Sequence, residues 1–96
     1  MKVELSDQVF GFVRSLPPEP RKRLREALRR LASERGDLRA LEGDLAGFHR
    51  LRVGRFRVIF RYAMIGHAHG IRCEFADERS IIYQVFAEAA RHLQAP

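Results

Sequence analysis

The chain has 96 residues, 46% of them hydrophobic, which suits one compact domain over residues 1–96 and excludes a larger architecture. Its 18 Lys and Arg residues outnumber 12 Asp and Glu, and the net charge of +6 favours a polyanion or an acidic protein as partner. A single cysteine excludes an internal disulfide, no apolar run approaches the ~20 residues of a membrane span, and the first residues lack a signal-peptide core. We therefore expect a cytoplasmic protein with no membrane partner.

The first half of the chain predicts a short strand and two amphipathic helices. Residues 1–5 alternate weakly, as a strand does. Ser6 suits the N-cap of a helix whose apolar positions within 9–16 recur at helical spacing, and a pair of prolines ends it. Pro20 suits the first turn of a second, arginine-rich helix, and Gly36 suits its C-terminal cap. The two helices form a helical hairpin.

The second half changes to period two, which predicts strands. Segments 48–53 and 56–62 are separated by Gly54-Arg55, and a two-residue loop that begins with glycine is typical of a β-hairpin. Residues 66–70 predict the next turn, and residues 71–76 a third strand.

The third strand and a final helix complete the predicted fold. Alternation within the strand puts Ile71, Cys73 and Phe75 on one face. The polar residues 77–80 then precede an apolar pattern at helical spacing. The predicted order is β-α-α-β-β-β-α, an α+β domain in which the helical hairpin packs on a mainly antiparallel four-stranded sheet.

The hairpin register separates basic side chains from apolar ones. With Gly54-Arg55 as the loop, Arg52 pairs with Arg57, and like charges directly opposite each other weaken a sheet. The arginines either bind an anion such as phosphate or simply solvate an exposed sheet face. One face holds His49, Leu51, Val53, Phe56, Val58 and Phe60, and the other holds Arg50, Arg52, Arg57 and Arg61 with Phe48 and Ile59 between them.

Residues 41–62 (LEGDLAGFHRLRVGRFRVIFRY) resemble the central signature of the RelE/ParE toxin superfamily, in which a basic strand leads into a V-G-x-aromatic-R turn. The segment RSIIY at 79–83 is similar to the closing R-S-x-x-Y element of that family, and the length and element order agree. The resemblance implies a RelE-like fold and the toxin of a type II toxin–antitoxin pair. In the RelE branch it implies a metal-independent, ribosome-dependent endoribonuclease that cuts mRNA in the A site by 2′-hydroxyl attack.

The resemblance also implies the residues of the site. Arg57 would clamp the scissile phosphate, and Arg50 and Arg52 would hold neighbouring charge. Tyr83 would stack on a base or orient the nucleotide, although its helical spacing also suits an ordinary core position.

The sequence leaves open which residues would act as the general base and the general acid. The basic pair of the family is often lysine, whereas arginine effectively cannot lose a proton. Asp77 stands where the family has a second catalytic arginine, and Arg79 substitutes for it only if the segment shifts. Glu74, expected on the arginine-bearing face, and His49, turned towards the core, are base candidates, and Arg61 is a further RNA contact.

The implied partners are a cognate antitoxin with an acidic helical segment, the ribosome and mRNA. The toxin–antitoxin complex would be a hetero-oligomer that binds operator DNA through the antitoxin. No cofactor is implied, and no metal, because His67 and His69 near Cys73 make an incomplete ligand set. Two alternatives stay open: a ParE-like inhibitor of DNA gyrase, and a degenerate toxin that retains only antitoxin binding.

Overall fold

The computed structural model describes residues 1–78 and 82–94. No helix within those ranges is long and apolar enough to cross a membrane. The chain forms strand β1 (Lys2–Leu5), helices α1 (Asp7–Ser15) and α2 (Pro18–Leu31), strand β2 (Asp37–Ala40), a 3₁₀ turn (Gly43–Leu45), strands β3 (His49–Val53), β4 (Phe56–Ile65) and β5 (Ala68–Glu78), and helix α3 (Ile82–Gln94).

The described strands form one mixed sheet in the order β1-β5-β4-β3-β2. The edge strand β1 is parallel to β5, and the other neighbours are antiparallel. This confirms the predicted α+β class, but the sheet has five strands and not four. The additional strand β2 is a short edge strand in which only Leu38 is partly buried, so its sequence lacks the alternation that reveals a half-buried strand.

The helical hairpin forms as predicted and packs on one face of the sheet. The Ser6 side chain accepts a hydrogen bond from the Val9 N–H at 3.2 Å and so caps α1. Pro18 and Pro20 both lie in the first turn of α2. The core on this face is formed by α1, α2 and the inner strands, with Val9, Val13, Leu24, Leu28, Leu31, Leu51, Val58, Phe60, Ile71 and Cys73 among its buried members.

The end of α2 differs from the prediction. Gly36 is not its cap, because the helix ends at Leu31 and the chain reverses at Glu34, whose φ is 55°. The Glu34 N–H donates to the Leu31 carbonyl at 2.8 Å and the Arg35 N–H to the Arg30 carbonyl at 3.2 Å, the pattern of a Schellman cap. Glutamate therefore takes the left-handed position that usually favours glycine.

The β3–β4 hairpin has the predicted register. Val53 lies opposite Phe56 and Arg52 opposite Arg57, and Gly54 in the loop has a φ of 58°, in the left-handed region. The following turn is shorter than predicted, because β4 and β5 extend until only Gly66 and His67 connect them.

A bulge in β5 overturns the predicted alternation of that strand. Ile59 pairs with Phe75, but Phe60 pairs with Cys73, so Glu74 is an extra residue and the side chains before and after it exchange faces. Ile71 and Cys73 face α1 and α2, whereas Phe75 lies on the opposite face. The strand also continues through Asp77 and Glu78, part of the stretch expected to precede the last helix.

The opposite face of the sheet is partly covered by α3. Phe86 of α3 is buried against Ile59 and Leu45, and its ring contacts that of Phe48 edge-on with centroids 5.0 Å apart. Phe75 packs against the same cluster. The sheet therefore lies between the helical hairpin on one side and a single helix on the other, and the uncovered part of the second side is where the basic side chains lie.

Candidate functional site

The face of the sheet opposite α1 and α2 carries the basic side chains that the hairpin register predicted. Strand β2 adds Arg39, directly opposite Arg50, and β5 adds Arg72, directly opposite Arg61. The sequence does not predict that Arg39 lies on this face, because it does not predict strand β2. We call this surface the arginine face, and its members are Arg39, Arg50, Arg52, Arg57, Arg61 and Arg72.

A row of four charged residues crosses four neighbouring strands of the arginine face. Asp37 lies opposite Arg52, Arg52 opposite Arg57, and Arg57 opposite Asp77. The like-charged pair is therefore flanked by a carboxylate at each end, which offsets part of its repulsion. Asp77 is the cross-strand neighbour of Arg57.

The two central arginines of this row are available to a ligand. Within the described ranges neither Arg52 nor Arg57 forms an ion pair, and Arg52 is exposed. One guanidinium nitrogen of Arg57 donates to the carbonyls of Gly54 at 2.8 Å and Phe56 at 3.0 Å. The hairpin turn thus fixes the direction of the Arg57 side chain and leaves its remaining donors for another acceptor.

Arg50 and Tyr83 meet in a cleft of about 330 Å³ between β2, the 3₁₀ turn and α3. Only 13% of the Arg50 side chain is exposed, and its Nη1 lies 3.4 Å from Oδ1 of Asp37. Tyr83 is half-buried in the apolar cluster around Phe86. Arg39 and Glu42 line the same cleft, so one tyrosine, two arginines and one acidic residue border a single space.

The Glu74 carboxylate lies on the arginine face between two arginines. Its Oε1 is 2.7 Å from Nε of Arg72 and its Oε2 is 3.4 Å from Nε of Arg61. Arg72 also contacts Glu4 of β1. Because both oxygens of Glu74 already accept from guanidinium groups, this carboxylate holds Arg61 and Arg72 in place and is poorly placed to accept a substrate proton.

His49 lies on the other face of the sheet, towards the helices. Its ring stacks on Phe60 with centroids 5.3 Å apart and meets the edge of Tyr62 at 5.0 Å. His49 is therefore separated from the arginine face by the sheet itself. Arg79, the remaining predicted site residue, lies outside the described residues.

His67 and His69 do not converge with Cys73. His67 and His69 are exposed on the β4–β5 connection, whereas Cys73 is fully buried, and burial raises the pKa of its thiol to about 12. Across residues 1–78 and 82–94, no three His, Cys, Asp or Glu side chains are grouped to hold a metal ion.

Comparison with known proteins identifies the fold. No protein-family model and no curated protein sequence matches the chain significantly. A solved archaeal RelE–RelB complex from Pyrococcus horikoshii contains a chain that is 27% identical, with a TM-score of 0.60 over 82% of this chain and 94% of that one. A chain of the RelB–RelE antitoxin–toxin complex from Methanococcus jannaschii is 18% identical, with a TM-score of 0.62 over 86% and 98%. A YoeB/ParE toxin from Agrobacterium tumefaciens is 19% identical, with a TM-score of 0.55 over 82% and 99%.

These likenesses extend over most of each chain and confirm the fold that the sequence motifs implied. The protein has the RelE/ParE-type toxin fold, with a pair of helices packed on a mixed five-stranded sheet.

Proposed function

We propose that this protein is the toxin of a type II toxin–antitoxin system and acts as a ribosome-dependent endoribonuclease that cuts mRNA in the A site. The observation that carries the proposal is the arrangement of the arginine face. Arg50, Arg52 and Arg57 lie on two adjacent strands, and Tyr83 lines the cleft beside Arg50. Guanidinium groups and an aromatic ring are the side chains that bind phosphates and stack on unpaired RNA bases.

The reaction needs the negative charge of a phosphorane to be stabilised. The 2′-oxygen of one nucleotide bonds to the adjacent phosphorus as its hydroxyl proton leaves, and the bond to the 5′-oxygen breaks as that oxygen gains a proton. The products are a 2′,3′-cyclic phosphate and a 5′-hydroxyl. Preorganised cations stabilise the charge that develops on the phosphate oxygens.

Each arginine has a role that follows from its position. Arg57 takes the scissile phosphate, because its hydrogen bonds to the hairpin backbone at 2.8 and 3.0 Å hold it without an acidic partner among the described residues. Arg52, exposed and directly opposite Arg57, and Arg50, two residues away on β3 with 13% of its side chain exposed, neutralise the flanking charge. None of the three can accept a proton near neutral pH, so the proton acceptor is a different group.

Tyr83 is assigned to the base of the nucleotide. Tyr83 packs against the apolar cluster that contains Phe86, and it also lines the cleft of about 330 Å³. A ring fixed on one side by packing offers the other side for stacking, and base stacking on aromatic residues is worth about 1–3 kcal/mol.

The proposed antitoxin carries an acidic helical segment. The chain has a net charge of +6, and complementary charge accelerates association and suppresses wrong partners. Two of the similar solved structures are RelE–RelB toxin–antitoxin complexes, which supports a partner of this class. We propose that the complex is a hetero-oligomer that binds operator DNA through the antitoxin. The proposed site of action of the toxin is the translating ribosome, so we propose a cytoplasmic location for the protein.

The proposal is tested by inducing the protein without its antitoxin and mapping new 5′ ends on cellular mRNA. We expect ends in register with codons, which Arg57→Ala abolishes. Arg55→Ala is the matched control, since Arg55 lies in the same hairpin but is 3.4 Å from Glu78. Growth arrest with intact mRNA and broken DNA would instead indicate a gyrase inhibitor, and no arrest would indicate a degenerate toxin.

A further inference from the structure

A second basic cleft lies on the helix side of the sheet, next to the end of the arginine face that holds Arg52, where α2 ends beside β2 and β3. Its volume is about 340 Å³, and three of its lining residues are Arg30, Arg35 and Arg52. We propose that this cleft binds a phosphate of the same single-stranded RNA that crosses the arginine face, outside the nucleotide that is cut. The proposal rests on the proposed RNA substrate, and we refer to this space as the edge cleft.

The edge cleft is a consequence of how α2 ends. Arg30 lies in the last turn of the helix, and the reversal at Glu34 returns Arg35 to the same end. The hydrogen bond of 3.2 Å from the Arg35 N–H to the Arg30 carbonyl fixes the two backbones side by side. Arg52 lines the cleft from β3, so residues 22 apart in sequence border the same space.

The charges of the edge cleft are unbalanced. The carboxylate in its lining is Asp37, and Oδ1 of Asp37 lies 3.4 Å from the guanidinium of Arg50. Arg30, Arg35 and Arg52 are exposed and form no ion pair with any described residue. Three cations around a small space repel one another, and an anion with several acceptor oxygens relieves that repulsion.

The continuity of the edge cleft with the arginine face favours RNA over an acidic protein. Arg52 borders both, since it lines the edge cleft from β3 and is the cross-strand neighbour of Arg57 on the arginine face. A ligand that spans both needs negative charges repeated along one strand, as a phosphate backbone has. The apolar side chains of the cleft, chiefly Leu51 and Val53, offer little surface to an amphipathic helix, because Leu51 is buried.

The test compares two double variants that lose the same charge from the same helix region. Arg30→Gln/Arg35→Gln alters the edge cleft, and Arg21→Gln/Arg25→Gln alters a separate cleft on the outer surface of α2. The probe is a short single-stranded RNA with every 2′-hydroxyl methylated, which cannot be cut, and its binding is measured over a series of salt concentrations. Equal urea midpoints establish that both variants are folded.

We expect the edge-cleft variant to bind the RNA about tenfold more weakly, the loss of one charge-assisted phosphate contact. The slope of log affinity against log salt falls by about 0.7, the value for one phosphate on a single strand. The control variant keeps the wild-type slope. On programmed ribosomes, the edge-cleft variant needs more substrate but cleaves at the wild-type rate at saturation.

Equal slopes for the two variants would overturn the proposal, since the edge cleft would then contribute only to net charge. Unchanged RNA binding with weakened binding of an acidic antitoxin would also overturn it and assign the cleft to a protein partner. Failure of the proposed function is a separate result. In that case the wild type binds the methylated RNA with the expected slopes but cuts no mRNA on the ribosome.

Discussion

Replacing Arg52 with glutamine separates the two explanations of the arginine face. Arg52 is exposed and lies between Asp37 and Arg57 in the charged row. The change removes one attraction and one repulsion, each worth about 0.2–1 kcal/mol across adjacent strands. The two nearly cancel, so we expect the free energy of unfolding to change by less than about 0.5 kcal/mol.

RNA binding, unlike the free energy of unfolding, should weaken in Arg52→Gln, because the loss of a phosphate contact is not offset by the loss of a repulsion. We expect the slope of log affinity against log salt to fall by about 0.7 for the methylated single-stranded RNA. Asp37→Asn is the matched control. It leaves the Arg52–Arg57 repulsion compensated only by Asp77 and removes the 3.4 Å contact to Arg50, so it should destabilise the fold by about 0.5–1 kcal/mol.

Urea unfolding and salt-dependent RNA binding on the same preparations give both quantities. A loss of more than about 1 kcal/mol in Arg52→Gln would mean that Arg52 supports the fold. An unchanged salt slope would mean that Arg52 only solvates the sheet. The first result would refute the cancellation of the two cross-strand terms, and the second would refute the assignment of Arg52 to phosphate binding.

Three further predictions concern the framework of the site. The Tyr62 hydroxyl donates to Glu34 at 2.7 Å, and this hydrogen bond is the main cause that raises the pKa of Tyr62 above its usual 10.0. At pH values below 10, Tyr62→Phe should therefore have a lower urea midpoint than the wild type. This difference should vanish as the pH rises through the pKa of Tyr62 in the folded state, and a difference that is independent of pH would contradict this. Burial raises the pKa of Cys73 to about 12, so alkylation at mildly alkaline pH should proceed only in denaturant, and rapid labelling of the native protein would show that β5 opens. Ser6→Ala should cost about 1 kcal/mol in urea unfolding, because the hydroxyl caps α1 and also donates to the Glu74 carbonyl at 2.8 Å, and an unchanged midpoint would exclude that role.

The sequence predicts the central hairpin well because two independent signals agree there. A glycine-containing two-residue loop sets the register, and alternation on both strands leads to the same faces. The pairing of Arg52 with Arg57 could therefore be predicted from the sequence alone. The family motif indicated Tyr83 as a site residue. Its proximity to Arg50 depends on how α3 packs on the sheet, and no local sequence pattern predicts that packing.

The remaining features depend on tertiary context. Strand β2 is stabilised by pairing with β3, and its own residues show no strand pattern. The sequence therefore does not predict that Arg39 lies opposite Arg50 or that Asp37 lies opposite Arg52. The bulge at Glu74 shifts alternation by one residue, and a regular strand pattern gives no sign of it. Glu34 takes a backbone conformation typical of glycine, whereas Gly36 nearby is the residue that the pattern favours as a cap.

The most direct test of the proposed function is an end-group analysis with purified components. Wild-type protein is mixed with mRNA alone and with the same mRNA on ribosomes that have an empty A site, and the new RNA ends are characterised. We predict cleavage only on the ribosome, with a 2′,3′-cyclic phosphate on one product and a 5′-hydroxyl on the other, and none by Arg57→Ala. Intact mRNA on the ribosome, or products with a 5′-phosphate, would contradict the proposal.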